Sequence, residues 1–395
     1  MKNSIFIDEF SRRMKNDDNA YRMVGAELRR LRINQSQTLS TISSNICSVS
    51  YLCKIETAKM KPNRAMLTEI CKKLDLSVPK IDLLFNLKNL LMDCVEKFYR
   101  NNITFLSRAY EECKGFENYR SKLIQLIFYI ATFRLDEASL IVNDLFKITS
   151  VMSSEELIIF MVFHSILSFY EEKYHEVLDN LTMTRPYSET GETIKKIIYL
   201  ICLQCYLKLN NPRALILSEQ LIKELLDSTE FEMADYVRYL SCIFMMNNSM
   251  INDARQQMKN LQKKVYLRTI EFYLDLKENN LKAKTHYYTE LRPFARLIFI
   301  YVFDKINYNK YFESLDKRRF YDCDFSPSIA QYLTLKDEIE CYNEISDVII
   351  PNLAITNNAI EAQFFLIELS RICSNLGKYK NFNRAFERLT KNKFR

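Results

Sequence analysis

The chain has no tryptophan, 4 glycines, 7 prolines and 3 histidines in 395 residues, and each shortage closes off a class of structure or chemistry. Tight turns and β-hairpins draw on Gly and Pro, so a sandwich or barrel has little to build its corners from. Gly25, Gly115, Gly191 and Gly377 lie too far apart to form a glycine-rich phosphate loop. The run "HEVLD" from His175 places Asp179 where a zinc protease motif needs its second histidine. Cys202 and Cys205 form the one CxxC, inside "IIYLICLQCYLKL", and no second pair completes a zinc site. The eleven cysteines are scattered from Cys47 to Cys373 in apolar surroundings, which reads as reduced core thiols. No metal and no cofactor is expected, and an enzyme reading has no residues to stand on. Long hydrophobic runs are also missing: residues 123–133, 157–167, 197–207 and 294–303 are each shorter than the roughly 18 residues that span a bilayer. The N-terminus "MKNSIFIDEF" meets acids before a signal-peptide core forms, so a cytoplasmic protein without a membrane partner is expected.

What is present is 48% hydrophobic and 13% aromatic residues, enough for a large core, and the reading is all-α. A length of 395 residues suits a small module plus a larger body. Charge locates the module. Residues 21–80 hold 11 of the 56 Lys/Arg and 4 of the 49 Asp/Glu, which leaves 45 of each elsewhere, so this segment carries the whole net charge of +7. Such a concentration is the footprint of a module that neutralises phosphates, or alternatively a basic solvated surface.

Helical periodicity inside this segment gives several short helices. In "VGAELRRLRINQ", Val24, Leu28 and Leu31 share a face; Thr38 is placed to cap "LSTIS". Ser48 is placed to cap a helix Val49–Glu56 whose Leu52 and Ile55 face inward and whose Ser50, Tyr51 and Lys54 face out. "RAMLTEICKKLDL" follows with Leu67, Ile70 and Leu74 inward. Two short helices joined by a tight turn, the second presenting small polar side chains, is the geometry that enters a DNA major groove.

These residues, "LRRLR", "TLSTIS", "SVSYLCKIE" and "KMKP", resemble the Cro/repressor-type helix-turn-helix of bacterial regulators over about residues 22–80. The resemblance implies that Ser48, Val49, Ser50 and Lys54 approach base edges and that Tyr51 lies near a phosphate. It also implies that Lys59, Lys61 and Arg64 follow the backbone or the adjacent minor groove, and that Arg32 pairs with Glu56 between helices. Two features depart from that pattern: Ala58 stands where the family usually has Gly, and the stretch between Ile42 and Ser48 is one residue shorter. A helix-turn-helix used only for protein contacts is the alternative.

Beyond residue 90, helical patterns are broken by short polar turns, "FRLDEA", "YEEKYHEV", "LKLNNPRA", "MNNSMINDA" and "LKENNLKA". Small or modest residues follow them at Ala138, Val177, Ala214, Ala254 and Ala283, and Ser165, Cys202 and Cys242 precede three of these by twelve residues each time. A constant offset of small residues is what two closely crossing helices need, and tetratricopeptide repeats use it for that reason. The expected fold is therefore an N-terminal extension (1–20), a helix-turn-helix domain (21–85), and a right-handed superhelix of stacked helical hairpins (86–395) for ligand binding and dimerisation. On that register Lys196, Tyr199, Tyr206, Tyr236, Tyr239 and Arg268 fall on the concave face, where tyrosines with a cation suit an extended peptide. The alternative is that the tyrosines belong to the core.

This layout resembles the peptide-pheromone regulators of Gram-positive bacteria, the Rgg/PlcR/PrgX type. The resemblance implies a homodimer on double-stranded DNA, retuned by a short signalling peptide. A second reading keeps the DNA-binding module and makes the repeats a protein-interaction scaffold with no small peptide ligand.

Overall fold

The computed structural model describes residues 20–57, 59–60, 63–75, 78–116, 118–149, 152–184, 191–278, 290–303, 332, 335, 338–351, 359–378, 383–384 and 387. Among them there is no strand. The chain divides into two compact units, residues 1–198 and 199–395.

The first unit opens with α1 (Ala20–Asn34), α2 (Leu39–Ser43), α3 (Val49–Glu56), α4 (Arg64–Lys73) and α5 (Val78–Tyr99). Both expected caps are there: the Thr38 and Ser48 hydroxyls accept from the backbone N–H of Thr41 and Tyr51, each at 3.1 Å. A cap not anticipated, Asn63, starts α4 by accepting from Ala65 N at 2.9 Å. Val24, Leu28, Leu52, Ile55, Leu67, Ile70 and Leu74 are buried as the periodicity requires, whereas Leu31 and Tyr51 are half-buried. The short α2–α3 connection closes on Asn45 at φ 59°, a left-handed position that Asn tolerates better than most residues. Helix α5 packs on α1 and α4 and also on the hairpin that follows, so the boundary expected at residues 85/86 falls inside one continuous helix. The expected extension, residues 1–19, and Ala58 lie outside the described residues.

Helical hairpins follow: α6 (Ile103–Cys113) pairs back on α5, α7 (Tyr119–Ala131) with α8 (Leu135–Phe146), and α9 (Ser154–Tyr170) with α10 (Tyr174–Thr184). Arg120 and Glu156, both only 2% exposed at their side chains, form an ion pair between the first turns of α7 and α9. Glu156 also accepts from the Tyr119 hydroxyl at 2.9 Å and closes the Ser153 capping box. A charged pair this deep is held by its extra hydrogen bonds and fixes the register of one hairpin on the next.

Helix α11 (Glu192–Lys208) contains the division between units. The second unit continues with α12 (Arg213–Asp227), α13 (Phe231–Asn247), α14 (Ile251–Met258), α15 (Lys264–Lys277) and α16 (Pro293–Phe303). Then come α17 (Glu338–Asn343), running into a π-helical turn at Glu344–Ile349, and α18 (Ala359–Leu376). Helix α13 packs against α12, α14, α15 and α18 and so forms the centre of this unit.

One turn recurs along both units. Asn101, Phe133, Glu172, Asn210 and Ser249 each adopt positive φ between consecutive helices. The residue after each donates its N–H five residues back, for example Asn102 to Lys97 at 2.8 Å and Met250 to Met245 at 2.8 Å. This is the Schellman closure, made here without glycine. The small residues foreseen from spacing sit just past these turns: Ala138, Val177, Ala214 and Ala254 are buried, as are Ser165, Cys202 and Cys242 opposite. Cys242 Sγ lies 3.8 Å from the Ala254 carbonyl oxygen, the close crossing that the twelve-residue offset implied. Ala283 lies outside the described residues.

Candidate nucleic-acid interface

Helix α3 has one face in the core and one in solvent. Leu52, Ile55 and Glu56 point inward, while Ser48, Val49, Ser50, Cys53, Lys54 and Thr57 are exposed. Gly25 allows α1 to lie against α3: a Cβ there would overlap the Ile55 carbonyl oxygen and sit 3.1 Å from its carbon. The orientation of α3 is further fixed by Arg32 on α1, whose Nε and Nη2 donate to the two Glu56 oxygens at 2.7 and 2.8 Å and whose Nη1 donates to the Gln37 carbonyl at 3.0 Å. The Glu56 hydrogen bond, outweighing the cost of burial, pushes the Arg32 pKa above its ordinary value. Lys73 on α4 reaches the carbonyls of Thr41 and Ser44 and so holds the end of α2.

The basic residues sort by partner. Arg30 pairs with Glu27 at 2.6 Å, Arg32 with Glu56, and Lys72 with Glu69 at 2.8 Å on the surface, so three of the segment's four acids are paired within the module. Arg29, Lys54 and Lys59 are exposed, and among the described residues no acid pairs with them. Lys59 follows the end of α3, its N–H donating to the Lys54 carbonyl at 2.8 Å. Arg64 is exposed at the start of α4; Lys61 lies outside the described residues. The arrangement is a helix with a small polar and apolar outer face, flanked by uncompensated cations. Cys53, at the middle of that face, was passed over in the sequence because its cysteines read collectively as core; a helical wheel of Val49–Glu56 places it beside Ser50.

The residues expected on a peptide face do not form one open ladder. Lys196, in the first unit, is buried along its stem and lies 3.8 Å from Glu192. In the second unit Tyr199 is buried and Tyr239 is 0% exposed, so both are turned into the packing, while Tyr206, Tyr236 and Arg268 are half-buried. The reason at Tyr239 is the next hairpin: Tyr266 of α15 stacks over it with ring centroids 5.1 Å apart and planes at 24°. Two residues not anticipated, Tyr266 and Arg292, complete a cluster. The Arg292 guanidinium lies 5.7, 5.1 and 5.5 Å from the rings of Tyr236, Tyr239 and Tyr266, a favourable cation–π placement. Arg292 N–H donates to the Thr269 hydroxyl at 3.0 Å, which anchors it to α15. Arg268 is paired with Glu271 at 2.7 Å and lies 3.6 Å from Glu290. Neither Tyr266 nor Arg292 is marked in the sequence, because each lies off the spacing that marks the hairpins.

No group of three metal-ligating side chains gathers among the described residues, and none of their helices is long and apolar enough to cross a membrane.

No family model matches the chain, and no curated protein does. Among solved structures the chain is similar to PlcR of Bacillus thuringiensis, solved in complex with the peptide PapR7 and DNA, at 14% identity and a TM-score of 0.26, covering 76% of this chain and 94% of that one. It is also similar to the SHP pheromone receptor Rgg2 of Streptococcus dysgalactiae, at 17% identity and a TM-score of 0.20, covering 73% of this chain and 97% of that one.

Proposed function

We propose that the protein is a sequence-specific DNA-binding transcriptional regulator, which grips duplex DNA through α3 and the cations around it. The single observation that carries the reading is the partition of charge. Three acids of the basic segment are taken up by Arg30, Arg32 and Lys72, which leaves Arg29, Lys54 and Lys59 exposed with no acid paired to them among the described residues. Lys54 lies on the outer face of a capped helix and Lys59 just past its end. A surface made only for solubility mixes both signs; a surface for phosphates does not. In this reading Ser48, Val49, Ser50 and Lys54 approach the bases and Tyr51, Lys59, Lys61 and Arg64 the backbone.

A single module of this size buries too little surface for tight specific binding, so the protein acts as a homodimer on a two-fold-symmetric site. The helical hairpins sense a ligand, and the ligand class that follows from the resemblance is a short signalling peptide. Tyr206, Tyr236 and Arg268 are its candidate contacts, with Tyr239, Tyr266 and Arg292 supporting them from beneath. Selection of duplexes from a random library by the full-length chain tests the DNA half. Native mass spectrometry of the purified protein tests the rest through a dimer mass and a bound peptide. No enriched duplex would overturn the regulator reading; a monomer without peptide would confine the chain to DNA binding alone.

A further inference from the structure

The outer face of α3 carries two chemistries side by side. Ser50 and Lys54 are polar. Val49 and Cys53, four residues apart and so on one side of the helix, are apolar and exposed, Val49 by 44%. The remaining aliphatic residues of α3, Leu52 and Ile55, are fully buried, so Val49 is the one aliphatic side chain this helix presents to water. An exposed cysteine behaves as a small hydrophobe in such a contact. Lys54 on this face and Lys59 just past its end, exposed and paired with no acid among the described residues, match a phosphate backbone. Within a major groove framed by phosphates, the apolar group a base pair offers is the C5-methyl of thymine.

We propose that Val49, with Cys53 beside it, reads a thymine methyl in each half-site, so that α3 selects a T·A pair by an apolar contact while Ser50 and Lys54 supply the polar ones. This rests on the DNA-binding reading above and adds which base the apolar side chains select. Withdrawing one methyl group from water against Val49 changes affinity about four-fold, and about fifteen-fold when it occurs in both halves of a symmetric site.

The test uses a duplex enriched from a random library by the full-length protein, with each thymine replaced in turn by deoxyuridine. That change removes the methyl and keeps every hydrogen-bonding group. Wild type should lose about four-fold at one thymine per half-site, V49A should lose clearly less at that same thymine, and V49I should retain the preference. Matching melting temperatures for the three proteins, expected because position 49 is exposed, exclude a folding effect. Tolerance of deoxyuridine everywhere, or an equal loss in wild type and V49A, would overturn the proposal and leave DNA binding standing. Failure of any duplex to enrich would overturn the DNA-binding reading, and the proposal with it.

Discussion

Arg32 lies within the most basic stretch of the chain yet cannot present its guanidinium to a phosphate, because Nε and Nη2 are engaged by Glu56 and Nη1 by the Gln37 carbonyl. Its side chain is 14% exposed and that of Glu56 is 4%. Glu56→Gln therefore strands a mostly buried cation, at a cost of about 3–5 kcal/mol in the fully buried limit and less here, since water reaches part of Arg32. The expected outcome is a lowered melting temperature of the first unit with loss of DNA binding through unfolding; an unchanged melting curve would contradict the pairing. At the same scale, burial pushes the thiols of Cys71, Cys94, Cys113 and Cys242 up to about 12, so they stay protonated at neutral pH. Side chains that act on their own backbone, such as the Thr38 and Ser48 caps, were legible in the sequence, because the residue type and the start of an apolar period coincide there. Asn63 was equally readable by type but sits behind a proline in what looked like an unbroken loop. Cys53 carries no sequence signal of its exposure, because cysteine is among the most often buried residue types.

Elements in this chain end and cross in ways a glycine count would not foretell. Gly25 lies in the middle of α1, where helix propensity alone favours alanine by about 1 kcal/mol. The close approach of the Ile55 carbonyl reverses that preference, since a Cβ must push backbone against backbone. Gly25→Ala is expected to destabilise the helix-turn-helix by about 1–3 kcal/mol or more in urea unfolding, whereas a gain in stability would show that α1 and α3 do not touch there. The hairpin turns pose the opposite puzzle. Phe133 and Glu172 occupy left-handed positions that glycine would fill at no steric cost. The turns were foreseen from polar breaks and the crossings from twelve-residue offsets, but not these residues' conformations, because nothing in a Phe or Glu announces positive φ. The conformation is imposed by the six-residue closure and by the pairing of adjacent turns, as where the Asn210 and Asn248 side-chain amides donate to each other at 3.2 and 2.7 Å.

The whole chain reads as a small basic head and a long helical remainder, and helices run through both the expected boundary at 85/86, in α5, and the division between the compact units at 198/199, in α11. Neither seam shows in the sequence, because no Pro or Gly falls at 85/86 or at 198/199 and a helix runs through both positions. The tyrosine register fared similarly. The spacing that fixed which helices cross could not say that Tyr266 would cover Tyr239, since that depends on the third dimension between hairpins rather than on the period within one. For the DNA-binding claim, which organises everything else, the most direct measurement is the salt dependence of affinity for an enriched duplex, compared between the wild-type protein and Lys59→Ala. The expected result is an affinity that falls steeply with salt for wild type and with a slope shallower by about 0.9 for the variant, the signature of one lost phosphate contact. Affinity indifferent to salt, or identical slopes for the two proteins, would contradict it.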